Sequence, residues 1–430
     1  MLSAFEQPQR TERGQRSRER VFAELTAPQS GLEVLRDFVA DAGLRAQGRP
    51  KIAVVTASAL DPMEPVDFYL ALFEALGAEA QWWPLDAALA AAIESQADCS
   101  ALEALRLRHL QLMRRAEVYP DLAAQQAAAC RQPAALTELP AAVHGVFFAG
   151  GDQWRLRQAF FDDTDTPLPW LTALRQRYES GQLVVGGTSA GAAVQSQAAM
   201  LSNGSPLSAL QHPGLAGAPP SPGCGRDGRC GTGIDEERLS FWPSGGLGLA
   251  TAAVVDTHFS ERSREPRLLR LLAQTGAAFG FGADEASALH LQTTADGSTQ
   301  VRGIGASGGW VFVRPETDDP RLQAEVYYLA PGARLALQGE GLQGPLLADC
   351  LQSSTAAAAG DVEEADALQP GALRAAARAL ARCGEARRSL RTPAGPLQLV
   401  RQPETRVVPG PSGPSIGPLR MSASAISDER

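Results

Sequence analysis

Among its 430 residues this chain has a single lysine, Lys51, only five histidines and no run of 18 consecutive apolar residues. Because a transmembrane helix needs such a run, we expect no membrane partner. A net charge of −9 argues against nucleic acid as a partner, since proteins that bind the phosphate backbone carry basic surfaces. The N-terminal stretch is polar and contains no apolar segment typical of a secretory signal, so the sequence predicts a cytoplasmic location.

Cysteine is also scarce, and its six positions do not show the paired spacing of a zinc site. The sequence therefore predicts no metal. Cys224 and Cys230 could pair across a glycine-rich loop, but free thiols are the expectation in a cytoplasmic chain. The cysteines stand at positions 99, 130, 224, 230, 350 and 383.

Short β-branched runs alternate with amphipathic stretches along most of the chain, which predicts a parallel sheet covered by helices. An alanine- and leucine-rich region, 86–139, reads as mostly helical between two of these runs. The stretch 182–200 is predicted as a strand, a sharp turn and a helix, and the other predicted strands span 51–59, 80–85, 142–151, 252–259, 277–292, 301–314 and 324–337.

Composition sets the expected boundaries. We predict that residues 1–30 form a polar arm and that residues 31–340 form an α/β domain. We predict that residues 341–430 form an extension with one helix at 370–391 and a disordered tail. Residues 203–240 are dense in glycine, proline and serine. Because long segments of this kind are typical of lids or disorder, we predict a mobile insertion there.

One serine stands out in the stretch VVGGTSAGAAVQS, 184–196. Ser189 lies between a β-branched run and an alanine-rich segment, with only small residues beside it. A strand-to-helix turn of this kind can present a nucleophilic hydroxyl, and the N–H of Ala190 at the helix start can donate to an oxyanion. A turn that only packs tightly or binds an anion is the alternative, and the stretch alone does not choose between them.

A serine nucleophile needs a base and a group that orients the base. Of the five histidines, His258 ends a predicted strand, at the carboxyl edge where parallel sheets bind ligands. Asp284 and Glu285 end the next predicted strand. A turn or a helix cap is the alternative role for these carboxylates. The order of serine, histidine and carboxylate at successive strand ends predicts a catalytic triad.

Four separated stretches then match one family in its own order. They are FFAGGDQ (147–153), GGTSAGA (186–192), DTHFSERSREPRLLRLL (256–272) and GFGADEASAL (280–289). On these motifs the chain resembles the serine peptidases of the cyanophycinase and peptidase E group, peptidase family S51. The resemblance implies a three-layer α/β/α flavodoxin-like fold with a mostly parallel sheet, shared with class I glutamine amidotransferases. It also implies a homodimer and no cofactor.

Carried over by motif, the resemblance implies that Ser189 is the nucleophile, His258 its base and Glu285 the carboxylate that orients the base. It implies that the amides of Gly151 and Ala190 form the oxyanion hole. The implied substrate is cyanophycin, an aspartate backbone with arginine on each side chain, cleaved to β-aspartyl-arginine, or another aspartyl peptide. The implied substrate-binding residues are Gln153, Asp256, Arg262, Arg264 and Arg267.

The chain departs from the family pattern in three places. Thr257 stands where cyanophycinases usually have glutamine, so its specificity need not be theirs. The family's glycine-rich first strand has no clear counterpart before residue 51, and the insertion at 203–240 separates the serine from the histidine. The alternatives are that the chain is a related aspartyl dipeptidase, or that it is a binding protein on the same scaffold without catalytic activity.

Overall fold

The computed structural model describes residues 29–294, 297–315, 322–339, 341–352 and 365–423. The chain divides into two compact units, Met1–Val194 and Gln195–Arg430. Most of the predicted N-terminal arm lies outside the described residues. Within the described ranges, no helix combines the length and apolarity that crossing a membrane requires.

The first unit is built around a four-stranded parallel sheet with strand order β2-β1-β3-β4. β1 begins at the exposed Lys51, and its four following residues are fully buried, as expected of a strand covered on both faces. The strands are β1 Lys51–Val55, β2 Glu79–Trp82, β3 Gly145–Phe148 and β4 Val184–Gly187.

Helices connect these strands. Asp86 caps the third helix by accepting the N–H of Leu89, and Pro169 opens the ninth in the first turn, where proline is tolerated. The helices are α1 Gln29–Gly43, α2 Val66–Ala75, α3 Ala87–Glu94, α4 Leu102–Leu110, α5 Arg115–Val118, α6 Pro120–Arg131, α7 Ala134–Ala142, α8 Gln153–Gln158, α9 Pro169–Glu179 and α10 Ala190–Ala193.

The core of the first unit forms between the sheet and its helices. The rings of Phe73 and Phe147 meet edge to face with centroids 5.0 Å apart, and Ile52, Val54 and Trp82 join the same buried cluster. Contacts of this kind fix β3 and β4, whose carboxyl ends carry the motifs at 147–153 and 186–192.

The second unit holds a seven-stranded sheet of order β16-β17-β18-β13-β12-β9-β8, in which β8 and β9 pair in parallel and the other pairs are antiparallel. The strands of this unit are β5 Met200–Asn203, β6 Leu215–Ala216, β7 Ser240–Trp242, β8 Ala253–Thr257, β9 Phe279–Ala283, β10 Ser287–Thr293, β11 Thr299–Gly305, β12 Gly309–Val313, β13 Leu322–Leu329, β14 Arg334–Leu337, β15 Gly341–Gln343, β16 Arg387–Leu390, β17 Leu397–Val408 and β18 Ser415–Ala423.

The described residues of this unit form three α-helices: α11 Pro206–Gln211, α12 Glu265–Thr275 and α13 Ala372–Leu380. α12 buries Leu268, Leu269 and Leu272 in the main core. Two smaller sheets complete the unit, with orders β10-β11-β14-β15 and β5-β7-β6.

The segment predicted to be a mobile insertion, 203–240, contains α11, β6 and a disulfide between Cys224 and Cys230. It also bonds to α12, since the guanidinium of Arg270 donates to the carbonyls of Ala209 and Leu210 at 2.7 and 3.1 Å. The mobility predicted for this insertion stays a prediction, but the segment contains short elements and side-chain contacts that its composition did not indicate.

Two expectations are corrected. The region beyond residue 391, predicted to be disordered, supplies β17 and β18 up to residue 423, and the helix predicted over 370–391 ends at Leu380. The cysteines are paired rather than free: the other two disulfides join Cys99 to Cys130 and Cys350 to Cys383. Spacing could not show the two longer bridges, because their partners, 31 and 33 residues apart, are brought together only by the fold.

The mixed α/β class predicted from the sequence is confirmed. The parallel sheet is found in the first unit, whereas the sheets of the second unit are largely antiparallel. This corrects the expectation of a mostly parallel sheet. Its physical reason is that many successive strands from β9 onward, such as β10 and β11 or β17 and β18, are joined by short connections, which favour antiparallel pairing.

Candidate active site

Ser189 occupies a strained turn between β4 and α10 of the first unit. Its backbone has φ 53° and ψ −118°, and it stands at the N-cap position of the helix that begins at Ala190. A positive φ is rare for a residue with a side chain, and such strain persists mainly where function requires it. The turn thus has the form that the sequence predicted.

Small residues make this turn possible. A Cβ on Gly187 would lie 2.2 Å from the carbonyl oxygen of Gly191, and a Cβ on Gly191 would lie 2.1 Å from that of Phe148. Both distances are far inside van der Waals contact, so neither glycine can be replaced without moving the backbone. The glycines around Ser189 are therefore required by the packing of α10 against the end of β3.

The turn after β3 lies against Ser189, because a Cβ on Gly150 would be 3.4 Å from the Cβ of Ser189. Ser58 holds this turn in place: its hydroxyl donates to the carbonyl of Ala149 at 2.6 Å, and its own carbonyl accepts the N–H of Asp152 at 2.8 Å. The main chain of the motif at 147–153 is thereby fixed beside the serine.

The amides of Gly151 and Ala190 are the two oxyanion donors that the resemblance implies. In the part of the chain that the structure describes, neither amide donates a hydrogen bond. Gly151 has φ 147°, and a Cβ there would lie 2.1 Å from the carbonyl oxygen of Ser58. Two amides without acceptors beside a strained serine can stabilise an oxyanion. Gln153, the predicted pocket residue, is half-buried and begins α8.

His258 and Glu285 meet in the second unit. β8 and β9 are parallel neighbours, and both residues follow their carboxyl ends. Nδ1 of His258 lies 2.9 Å from Oε1 of Glu285. Because an ionised carboxylate can only accept, the proton sits on Nδ1, and Nε2 is left as the basic nitrogen. The pair has the geometry of a general base and the group that orients it.

Asp284, the other carboxylate at this strand end, has a different role. Its Oδ1 accepts the N–H of Ser260 at 2.9 Å, and its Oδ2 accepts from Arg374 at 2.8 Å. Burial, with the nearby Glu261 carboxylate, raises the pKa of Asp284. Asp284 therefore bonds inside the protein while its neighbour Glu285 contacts the histidine.

Asp256 is not exposed to a substrate. It is 2% exposed, and two arginines of α12 and the turn before it surround its carboxylate. Its Oδ1 lies 3.2 Å from Nη1 of Arg264, and its Oδ2 lies 3.1 Å from Nε of Arg267. Arg267 is itself 5% exposed and donates to the carbonyl of Gly204 at 2.9 Å. Burial lowers the pKa of Arg267 to about 10, although Asp256 opposes the shift.

Of the arginines predicted to bind substrate, Arg262 has the exposed side chain. It lies in the short 3₁₀ turn Ser260–Arg262, and its guanidinium has no hydrogen-bond or ion-pair partner among the described residues. Thr257, the departure from the family pattern, is buried, and its N–H donates to Oδ1 of Asp256 at 2.8 Å. Arg262 is therefore free to meet a carboxylate.

Comparison with known proteins gives relatives but no family model, since no family model matches the chain. A cyanophycinase of Trichormus variabilis is 28% identical over 276 residues, which cover 64% of this chain and 67% of that protein. A cyanophycinase of Geminocystis herdmanii is 33% identical over 140 residues, 33% of this chain and 40% of its own length. The chain is similar to proteins named cyanophycinase.

Among solved structures, a peptidase from an acI-B1 Actinobacterium matches with a TM-score of 0.41 and 15% sequence identity. The match covers 72% of this chain and 92% of that one. As for metals, the described residues contain no group of three or more histidine, cysteine, aspartate or glutamate side chains placed to hold an ion.

Sequence reasoning missed one group near the His258–Glu285 pair. Arg374 of α13 bonds to both Glu261 and Asp284, at 2.6 and 2.8 Å. No signal in the sequence connects an arginine in an alanine-rich helix with strand ends about ninety residues earlier. Only the fold brings them together.

Proposed function

We propose that this chain is a serine-type peptidase of family S51 that hydrolyses cyanophycin or a closely related aspartyl peptide. The observation that carries the proposal is the conformation of Ser189, φ 53° and ψ −118°, in the turn between a parallel strand and a helix. Such strain is costly, of the order of 1–3 kcal/mol, and a turn that only packs tightly gains nothing from it. The names of the similar proteins point to the same reaction.

In the proposed mechanism His258 accepts the proton of the Ser189 hydroxyl as its oxygen attacks an aspartyl carbonyl. The amides of Gly151 and Ala190 donate to the oxyanion, and Glu285 keeps the proton of His258 on Nδ1. His258 then protonates the leaving amine, and water hydrolyses the acyl-enzyme by the same steps in reverse.

We also propose different roles for the residues that the family resemblance implies for substrate binding. Arg262 is exposed and can bind a substrate carboxylate through its planar guanidinium. Asp256 and Arg267 are buried against each other, so they are assigned to holding the start of α12 and the end of β8. Arg264 belongs with them, because it donates to the carbonyl of Thr257 at 2.6 Å.

Covalent labelling tests the nucleophile. A fluorophosphonate should modify Ser189, as peptide mapping by mass spectrometry would show, because a base-activated serine attacks phosphorus. Ser189→Ala should abolish the label, and His258→Gln should slow labelling by about a hundredfold or more, the scale of general-base catalysis. His290→Gln is the matched control, since His290 of β10 bonds to Arg302 of β11 and should not affect labelling. Labelling that is equal in the His258 variant would contradict the proposal.

Product analysis tests the substrate. Wild-type protein incubated with insoluble cyanophycin should release β-aspartyl-arginine, identified by mass, while Ser189→Ala with an unchanged circular dichroism spectrum should release none. Free aspartyl dipeptides in a parallel incubation distinguish the polymer from short substrates. Release of product by the Ser189→Ala protein would exclude Ser189 as the nucleophile.

A further inference from the structure

Arg374 connects α13, in the C-terminal region of the chain, to the two loops that carry the His258–Glu285 pair. Its Nη1 donates to Oε1 of Glu261 at 2.6 Å and to Oδ2 of Asp284 at 2.8 Å. The arginine side chain is 21% exposed, and that of Asp284 is completely buried. Charge-assisted hydrogen bonds that are largely shielded from water are among the stronger polar contacts in proteins.

The two carboxylates also cross-connect the loops themselves. Glu261 follows β8 in the His258 loop, and its Oε2 accepts the N–H of Glu285 at 3.0 Å. Asp284 precedes Glu285 in the β9 loop, and its Oδ1 accepts the N–H of Ser260 at 2.9 Å. Each loop thus offers a carboxylate to the backbone of the other loop.

Without Arg374 this arrangement would hold two carboxylates close together with little compensation. Burial raises the pKa of Asp284, and the nearby Glu261 carboxylate adds to the rise. Burial by itself lowers the pKa of Arg374, but Asp284 and Glu261 outweigh it and the net pKa is raised. The guanidinium therefore stays charged and neutralises the repulsion that would otherwise separate the two loops.

The helix that carries Arg374 is firmly attached. The N–H of Gly371 donates to the carbonyl of Ser260 at 2.7 Å, directly in the His258 loop. Leu373, Ala377 and Leu380 are buried in the main core of the unit. Arg374 can position other groups only if its own helix is held in place, and these contacts of α13 meet that condition.

We propose that Arg374 is a positioning residue, or brace, that holds the carboxylate of Glu285 at Nδ1 of His258 by fixing the loops after β8 and β9. Its consequence for hydrolysis rests on the proposed function, but its effect on His258 does not. In this assignment the C-terminal region of the chain is part of the support of the candidate active site rather than an appendage.

The test is the pKa of the His258 imidazole, measured by NMR titration of the histidine ring signals. The chain has only five histidines, and loss of one signal in His258→Gln assigns the relevant peak. In Arg374→Met, release of Glu285 should lower the pKa of His258 by about one unit, a tenfold change in the protonation equilibrium. Arg374→Lys, which can reach one carboxylate at a time, should show a smaller fall.

The sign of the change in the pKa of His258 distinguishes the proposed positioning role of Arg374 from its other possible roles. Removal of a positive charge that acted only through space would raise the pKa of His258, and a merely structural arginine would leave it unchanged; either result overturns the proposal. Arg382→Met is the matched control, because Arg382 is exposed just beyond the same helix and has no side-chain partner among the described residues. It should behave as wild type. If Arg374→Met fails to fold, the lysine variant decides.

Kinetics give the second measurement. In Arg374→Lys, kcat should fall with KM nearly unchanged, and the acidic limb of the pH profile should move with the NMR pKa of His258. If the pKa falls as expected but Ser189 is never labelled by the fluorophosphonate, the brace stands and the proposed peptidase function fails. If labelling succeeds but the pKa does not fall, the brace fails alone.

Discussion

Glu265, the first residue of α12, is the buried group whose ionisation the structure penalises most clearly. It is 1% exposed, and among the described residues neither carboxyl oxygen makes a hydrogen bond of good geometry. Burial raises its pKa to about 8 from the ordinary 4.5, and the carboxylate of Asp284 adds to the shift. At neutral pH the folded protein therefore keeps Glu265 protonated, whereas the unfolded chain does not.

The sign of the pH effect follows from this difference in bound protons. Between pH 4.5 and about 8 the folded state holds one more proton at Glu265 than the unfolded state, so the free energy of unfolding falls as pH rises. The stabilising contribution is complete below pH 4.5 and is lost above about 8. At about 1.4 kcal/mol per unit, the whole window corresponds to at most about 5 kcal/mol.

Glu265→Gln removes this dependence, because the amide is close in shape to the protonated acid and does not ionise. Melting temperatures of wild type and variant should be similar near pH 5, and the variant should become progressively more stable up to pH 8. For a unit of this size the advantage should reach roughly 10 °C. The exposed Glu404 supplies the control variant Glu404→Gln. A difference from wild type that is the same at pH 5 and pH 8 for Glu265→Gln would refute the reasoning.

Two further predictions concern the Ser189 turn and the disulfides. Gly191→Ala places a Cβ about 2 Å from a backbone carbonyl, so fluorophosphonate labelling should fall by more than tenfold and melting by several degrees; a variant that labels normally would show that the turn can relax. Loss of the Cys350–Cys383 bridge should destabilise more than loss of the Cys224–Cys230 bridge, because their sequence separations of 33 and 6 correspond to about 4 and about 2 kcal/mol of loop entropy. Thermal melts of the two double serine variants check this order, which equal losses would contradict.

The parts of the candidate site that the sequence could predict are those set by local pattern. A β-branched run, two glycines and a small-residue helix start define the Ser189 turn without help from distant residues. His258 at a strand end is likewise a local signal. The choice between Asp284 and Glu285 was not local and came from the motif resemblance. Adjacent residues leave a strand in opposite directions, and in the structure Glu285 contacts the histidine while Asp284 contacts Ser260.

The parts that the sequence could not predict depend on pairing over long distances. Asp256 looked like a substrate contact because its motif matched, but its burial and its arginine partners are set by how α12 packs on β8. The final strands were hidden by Pro403 and Pro418, which are rare in regular strands. The structure accommodates both prolines where the register between β17 and β18 shifts, between Arg401 and Arg406.

The paired cysteines connect the setting in which the chain folds with its candidate site. Disulfides persist in oxidising compartments and are rare in the cytosol. The three disulfides therefore argue against the predicted cytoplasmic location, which was inferred together with free thiols. Cys383 lies just beyond α13, and the neighbouring Leu351 and Ala381 share a backbone hydrogen bond of 2.8 Å. In a reducing compartment the helix that carries Arg374 would keep its packing and hydrogen bonds but lose the covalent link at its C-terminal end. The brace on the His258 and Glu285 loops is therefore best supported where this disulfide can form.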